Sequence, residues 1–331
     1  MSRNCREAYF IAFLLLACSA PLRGQQSPPE TPVARQAVRP AQAVPPVQAV
    51  PPAQAVSPAQ AVPPPQDVKE IVRRALDVDQ SGFRLARNYT FQRRVELKVL
   101  DKKGAVKKHL TNTYDVTILY DQPYSRRIQK NDKPLTGEEE GREQEKLDRF
   151  VAERQNESAS EHQKRLAKQE KERQEERAFV RDIENAYDFQ IVAEEQVDGH
   201  DAYVVDATPR ADFHPTQPHA DILSKLRGKI WISKKDYGCI KLQAETLDTI
   251  SWGLFVLRIH KGTEFRLEQA RVNDEIWLPR RMSFNASARI GLFANDAFDW
   301  ESTFSDYKKF TSDTRILPGA AAINPQANPP Q

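Results

Sequence analysis

At 331 residues, the chain has material for one large domain or two small ones. A formal charge of +3, with 29% charged residues of both signs, gives no electrostatic footprint for nucleic acid. Three cysteines, only one of them beyond residue 18, leave no basis for a disulfide framework or a thiolate metal cluster.

Residues 1–24 open with Arg3 and Arg6, continue with the apolar run "AYFIAFLLLAC" and leave it through small residues. The run is too short to cross a bilayer stably and has the shape of a secretory signal peptide, so an exported protein is expected. Two ends to this leader are compatible with the residues. Leu15-Leu16-Ala17-Cys18 resembles a lipobox, which makes Cys18 a lipidation candidate; cleavage after Gly24 would instead leave Gln25 first. Residues 25–66 carry a repeated hexapeptide (QAVRPA, QAVPPV, QAVPPA, QAVSPA, QAVPPP) without the large side chains that bury a core. Its prolines favour extended polyproline II, and at about 3.1 Å per residue the segment could reach on the order of 100 Å. It reads as a tether or as a disordered tail.

A domain is expected over 67–315, followed by a disordered tail over 316–331. Asp67 is placed to cap a helix whose stripe is Val68, Ile71, Val72 and Leu76, with Glu70 at the capping-box position. The period then changes to two. Tyr89, Phe91, Val95, Leu97 and Val99 share a face interrupted by Arg93, and Tyr114, Val116, Ile118 and Tyr120 share a face of the next strand. "DKKG" and Asn131-Asp132 mark turns, as expected for an antiparallel meander.

Residues 137–187 have a different texture, dense in both charge signs and poor in large apolar residues. Two polar helices projecting as a hairpin are predicted, with Ser160 and Gln163 as the capping box of the second. Pairs such as Glu145 with Arg149 and Glu161 with Arg165 are expected to support them. Solvated faces, a protein-binding arm and a mobile lid are the alternatives for this insertion.

Strand patterns resume at Asp188 and turn at Asp198-Gly199. A short helical piece at Ile222–Leu226 precedes further hairpins, one of them tipped by Lys235-Asp236. The total is roughly nine to eleven antiparallel strands, as in a strongly curved sheet or partial barrel. The run Leu254–Leu257 suits a strand buried on both faces or the apolar lip of a cavity. "VNDEIWLPRRMSFNASARI" reads as a hairpin: Asn273-Asp274 turns the chain, Pro279 marks an edge or bulge, and Arg280 and Arg281 are expected on opposite faces.

No catalytic constellation emerges. Asp212, His214, His219 and Asp221 lie close in sequence, but in a Pro-containing loop without metal-ligand spacing. There is no GxSxG, no phosphate-cradling glycine loop and no cofactor motif. Cys239 in "YGCIKL" reads as a half-buried strand residue. A non-enzymatic protein without cofactor or metal is expected.

The leader, the opening helix, and the pieces "GKIWISKKDYGCIKLQAE", "DTISWGLFVLRIHKG" and "RVNDEIWLPRRMSFNASARI" resemble the outer-membrane lipoprotein-sorting (LolA/LolB-like) group over about Asp67 to Phe310. The resemblance implies an α+β fold: an incomplete antiparallel β-barrel, helices closing its mouth, and an apolar cavity for lipid or the acyl chains of lipoproteins. It also implies a place in the periplasm or at the outer membrane of a Gram-negative-type envelope. Phe91, Val95, Leu97, Tyr114, Val116, Trp231, Trp252, Phe255 and Trp277 are the candidate cavity residues. An envelope protein bound through 137–187 is the second partner expectation. The tether and the insertion depart from the group's pattern, and no single functional residue transfers.

Overall fold

The computed structural model describes residues 67–310 apart from 102, 121, 218–219, 253–256 and 291–293. Cys18, Phe255 and His219 therefore lie outside the described residues. The first element, α1 (Val68–Ala86), starts where the sequence places it: Asp67 caps it by accepting from the Lys69 N–H at 3.1 Å. Its apolar stripe buries Ile71, Val72 and Ala75.

The strands that follow are β1 (Tyr89–Leu100), β2 (Val106–Leu119), β3 (Gln122–Lys130) and β4 (Lys133–Pro134). After the insertion come β5 (Tyr187–Val197), β6 (His200–Pro209), a 3-10 turn (Ala220–Lys225), β7 (Leu226–Ser233), β8 (Cys239–Thr246), β9 (Ile250–Trp252) and β10 (Leu257–Ile259). The last are β11 (Glu264–Val272), β12 (Ile276–Ile290) and β13 (Ala294–Lys309). Thirteen strands are thus described, more than expected, because short β4, β9 and β10 carry too few residues to show a period.

The pairings are antiparallel, in the order β4-β3-β2-β1-β13-β12-β11-β8-β7-β6-β5, with β10 on β12 and β9 on β10. The sheet does not close: among the described residues β4 and β5 end its main path and β9 its branch, and β4 covers β3 only at Gln129 and Lys130, which leaves the rest of β3 as an edge. The hairpin turns have the chemistry that their left-handed backbones need. Asn131-Asp132, Asp198-Gly199 and Asn273-Asp274 all sit at positive φ.

The register sorts the side chains onto two faces. Val205, Ile230, Leu242, Leu267 and Met282 stand opposite one another across β6, β7, β8, β11 and β12 on the inner face. The outer face is also sealed in this region: Ala202, Val204, Trp231, Ile240 and Trp277 form their own cluster. The inner face continues through Phe265, Met282 and Phe304, against which Phe91, Leu242, Ala244 and Leu267 pack.

The insertion corrects the sequence reading. α2 (Gly137–Gln155) does not project; it lies along edge strand β3. Glu139 pairs with Lys130 at 2.9 Å, Glu143 with Arg127 at 3.3 Å, and the Phe150 ring packs 5.1 Å from that of Tyr124. Glu143 also accepts from the Arg127 backbone N–H at 3.4 Å, so a side chain serves the donor of an edge that lacks a neighbouring strand. Apart from Phe150 the contact named here is carried by charged pairs, so the hydrophobic period signals it only weakly. α3 (Ala159–Ala186) then returns to pack on α1 and the 3-10 turn. Its cap is Ser158 with Glu161, not Ser160 with Gln163. Both spacings fit the motif, and the ionised Glu161 gains from the helix N-terminus where a Gln would not. Arg165 accordingly pairs with Glu157 at 2.9 Å, not with Glu161.

Pro279 does mark a bulge: the pairing steps from Glu268↔Arg281 to Gln269↔Pro279 and leaves Arg280 as the extra residue. The bulge turns both arginines outward, correcting the expectation of opposite faces. Arg280 reaches Glu268 at 3.1 Å and Arg281 reaches Glu301 at 2.6 Å, and both are exposed.

Candidate apolar cavity under the helices

A cavity of about 790 Å³ lies between the inner face of the sheet and two helices. α1 supplies Val72, Ala75, Leu76, Asp79, Gln80 and Phe83, a stripe at helical spacing. α3 supplies Phe179, Val180 and Ile183 from its last two turns, and Leu223 comes from the 3-10 turn. The floor is Phe189 of β5, Ala207 of β6, Gly228 and Ile230 of β7, Leu242 and Ala244 of β8, and Leu267 of β11.

The room in this cavity has a sequence cause. Ala207, Gly228 and Ala244 stand directly opposite one another on three adjacent strands, in a row that ends at Phe265. The next row along, Val205, Ile230, Leu242 and Leu267, is filled by large side chains. Three small residues side by side leave a trough where helix side chains would otherwise meet the sheet. A Cβ built on Gly228 would meet Gln243 O at 3.4 Å, so a methyl fits there but a larger group would fill the trough.

Gln80, Glu170 and Gln269 interrupt the apolar wall, and so do two groups whose titration burial shifts strongly, Asp79 and Cys239. The Asp79 carboxyl is pushed up to about 6 by burial alone. Across from it, burial pushes the Cys239 thiol up to about 12, and the Asp79 charge adds to the shift. So high a value makes Cys239 a poor nucleophile. Tyr187, also in the wall, is shifted upward by burial. The lining also carries charge of both signs: the exposed side chains of Arg84 and Arg87, Arg227, which Glu245 holds at 2.6 Å, and Glu170.

α3 is tied over this cavity at one point. Asp182 is 2% exposed and accepts from the Thr216 N–H at 3.0 Å, the Thr216 hydroxyl at 2.6 Å and the Gln217 N–H at 3.0 Å. One buried carboxylate thereby organises the loop after β6 beneath the helix.

The candidate residues named from sequence lie elsewhere. Phe91 packs on the inner face, 5.8 Å from the Phe304 ring and 5.4 Å from that of Tyr307. Val116 is its register partner, Tyr114 faces Arg93, and Val95 and Leu97 follow Arg93 along β1. These share the cavity's side of the sheet without lining it. Trp231 and Trp277 belong to the outer face, where Glu195 receives the Trp231 indole N–H at 2.8 Å and Asp236 that of Trp277 at 3.1 Å. Trp252 sits on short β9, paired with Leu257. The residues missed, Asp79, Phe179, Ile183 and the small row, carry their signal in helix phase and in facing small residues rather than in aromatics.

No family model matches the chain, and no curated protein matches it. Among solved structures it is similar to a LolA superfamily protein from Nitrosomonas europaea, at 12% identity and a TM-score of 0.25 over 76% of this chain and 94% of that one. A candidate outer-membrane lipoprotein-sorting domain from Vibrio parahaemolyticus matches at 13% identity and a TM-score of 0.26, over 73% of this chain and 94% of that one. The MucA/MucB complex of Pseudomonas aeruginosa matches at 10% identity and a TM-score of 0.20, over 75% of this chain and 100% of that one. TM-scores this low carry no functional weight, so function has to be read from the cavity.

Proposed function

We propose that the protein binds a lipid or another acyl-chain ligand non-covalently in this cavity, as an exported, non-enzymatic envelope protein. The observation that carries the reading is the apolar trough of about 790 Å³ under α1 and α3, a volume in the range of small-molecule sites. A twelve-carbon tail buried there would gain roughly 10 kcal/mol at ~0.8 kcal/mol per methylene, before the costs of association. Much of that gain offsets lost motional freedom, so micromolar affinity is the expected scale. Cys239 in the wall is a poor nucleophile, and the exposed arginines Arg84 and Arg87 suit the head of an oriented amphiphile.

The leader at 1–24 and the Pro-rich stretch at 25–66 support an address outside the cytoplasm, with Cys18 as the anchor of a tethered form. Mass spectrometry of the mature N-terminus decides between the forms: a diacylated Cys18 marks a receptor-like protein, and a free Gln25 a shuttle. For the cavity itself, the test is organic extraction of the purified protein together with titration of a fluorescent acyl probe. Bound lipid in the extract, or saturable uptake blocked by Ala244→Trp, is expected. A protein free of lipid that takes up no probe refutes the reading.

A further inference from the structure

The inner face holds a second polar feature, away from the cavity wall. Arg93 of β1 is 5% exposed, and among the described residues its Nε and Nη2 have no hydrogen-bond partner. Its neighbours across the strands are Tyr114 on β2, whose ring lies 5.4 Å from the guanidinium, and Phe304 on β13. One step along the same face, Val95 stands between Asn112 and Ser302. The Asn112 side-chain oxygen and the Ser302 hydroxyl are also buried without a partner, and Ser302 is fully buried. The four orphaned atoms thus belong to three adjacent strands and one face, within two residues of one another along β1.

Isolated buried cations are rare because removal from water is costly unless a counter-charge or hydrogen bonds compensate. Tyr114 offers a π face, which attracts the guanidinium but accepts neither N–H. Burial accordingly shifts the Arg93 side chain downward, and an arginine in a protein stays charged. Two guanidinium N–H groups beside a serine hydroxyl match the oxygens of a carboxylate or phosphate. Met282, Phe265 and Phe304 continue the inner face from here to Leu242, Ala244 and Leu267 in the cavity floor.

We propose that Arg93, with the Ser302 hydroxyl, is a built site for a compact anionic oxygen group, a carboxylate or phosphate. The group is either the head of an amphiphile or a free small anion; the chemistry is shared, and the site stands whatever fills the cavity.

The test uses the full chain with dodecyl phosphate, dodecanol and inorganic phosphate as probes. Wild type should bind dodecyl phosphate roughly tenfold to a hundredfold more tightly than dodecanol, as charge-assisted hydrogen bonds imply. Arg93→Met should abolish the preference while leaving dodecanol binding and the unfolding midpoint intact or raised. If the source is a free anion, inorganic phosphate raises the unfolding midpoint of wild type but not of Arg93→Met, with or without amphiphile binding. Should Arg93→Met not fold, Ser302→Ala decides, with a several-fold loss expected in whichever signal wild type shows. Equal binding of the two amphiphiles with no phosphate effect overturns the anion site and leaves the cavity reading standing. No binding of either amphiphile and no phosphate effect overturns both.

Discussion

Asp79→Asn is the sharpest test of the cavity wall. Asp79 sits on α1 facing apolar side chains, and among the described residues no hydrogen bond or ion pair reaches its carboxyl. Its folded value of about 6 stands above the ordinary 3.8. Between these two values the folded state keeps a proton that the unfolded state has released, so stability falls as pH rises through this window. Stability from this group is fully present below about pH 4 and lost above about pH 6, amounting to about 3 kcal/mol. The asparagine variant is neutral throughout and nearly isosteric. It should match wild type at pH 4 and exceed it at pH 8 by about 3 kcal/mol, which is roughly 6–12 °C in Tm for a domain of this size. Denaturant midpoints of both proteins at half-unit pH steps provide the assay, and the difference between them cancels the titrations they share. Acyl-probe affinity should follow the same course, weakening above pH 6 in wild type only, because an ionised wall disfavours a hydrocarbon tail. Parallel stability profiles for the two proteins from pH 4 to 8 would refute the claim that this carboxyl is held in an apolar wall.

Two further substitutions probe the packing of the outer face and the tie beneath α3. A methyl at Gly238 would stand 2.0 Å from Trp277 Nε1, so Gly238→Ala must displace the ring from Asp236 and from His200, 4.9 Å away; a loss of about 1–3 kcal/mol with red-shifted tryptophan emission is expected, and an unchanged midpoint refutes it. Asp182→Ala removes the acceptor of three hydrogen bonds and leaves two backbone donors of the 216–217 loop without it, costing about 2–4 kcal/mol, and amide exchange should rise across α3 before it rises in the sheet. Uniform protection across both would show that the carboxylate does not tether the helix.

Much of the architecture was legible because local chemistry and the global fold agree. Asp67 caps α1 as read, the period-two runs of β1 and β2 are strands, and three turns carry the Asn and Asp residues that tolerate positive φ. The cavity was not legible, for two physical reasons. On β6 adjacent residues Val204 and Val205 are both buried, at 1% and 0% exposure, because both faces of the sheet are covered there. Alternation then no longer distinguishes inside from outside, and the large aromatics Trp231 and Trp277, candidates for the cavity, stand in the cluster on the other face. The second reason is that a cavity is made by what is missing. Ala207, Gly228 and Ala244 become a trough only once register places them side by side, and register is fixed by pairings some twenty residues apart.

The insertion shows how the same ambiguity bears on function. A projecting hairpin would allow a simple dissection, in which deleting 137–187 removes a partner-binding arm and spares lipid binding. The structure removes that simplicity, because α2 serves the free N–H of edge strand β3 through Glu143, and the last turns of α3 wall the cavity with Phe179, Val180 and Ile183. A full deletion would bare a strand edge and open the trough together, so lost binding of any kind would follow from either role. A helix that is polar nearly all round usually bridges solvent between packed parts, and α3 does so: its first half is mostly exposed while its end is buried on α1 and the 3-10 turn. Charge reversal confined to Lys164, Lys168 and Lys171 leaves the wall and the edge cap untouched. It is therefore the perturbation that separates an arm that recognises a protein from a lid that holds a lipid.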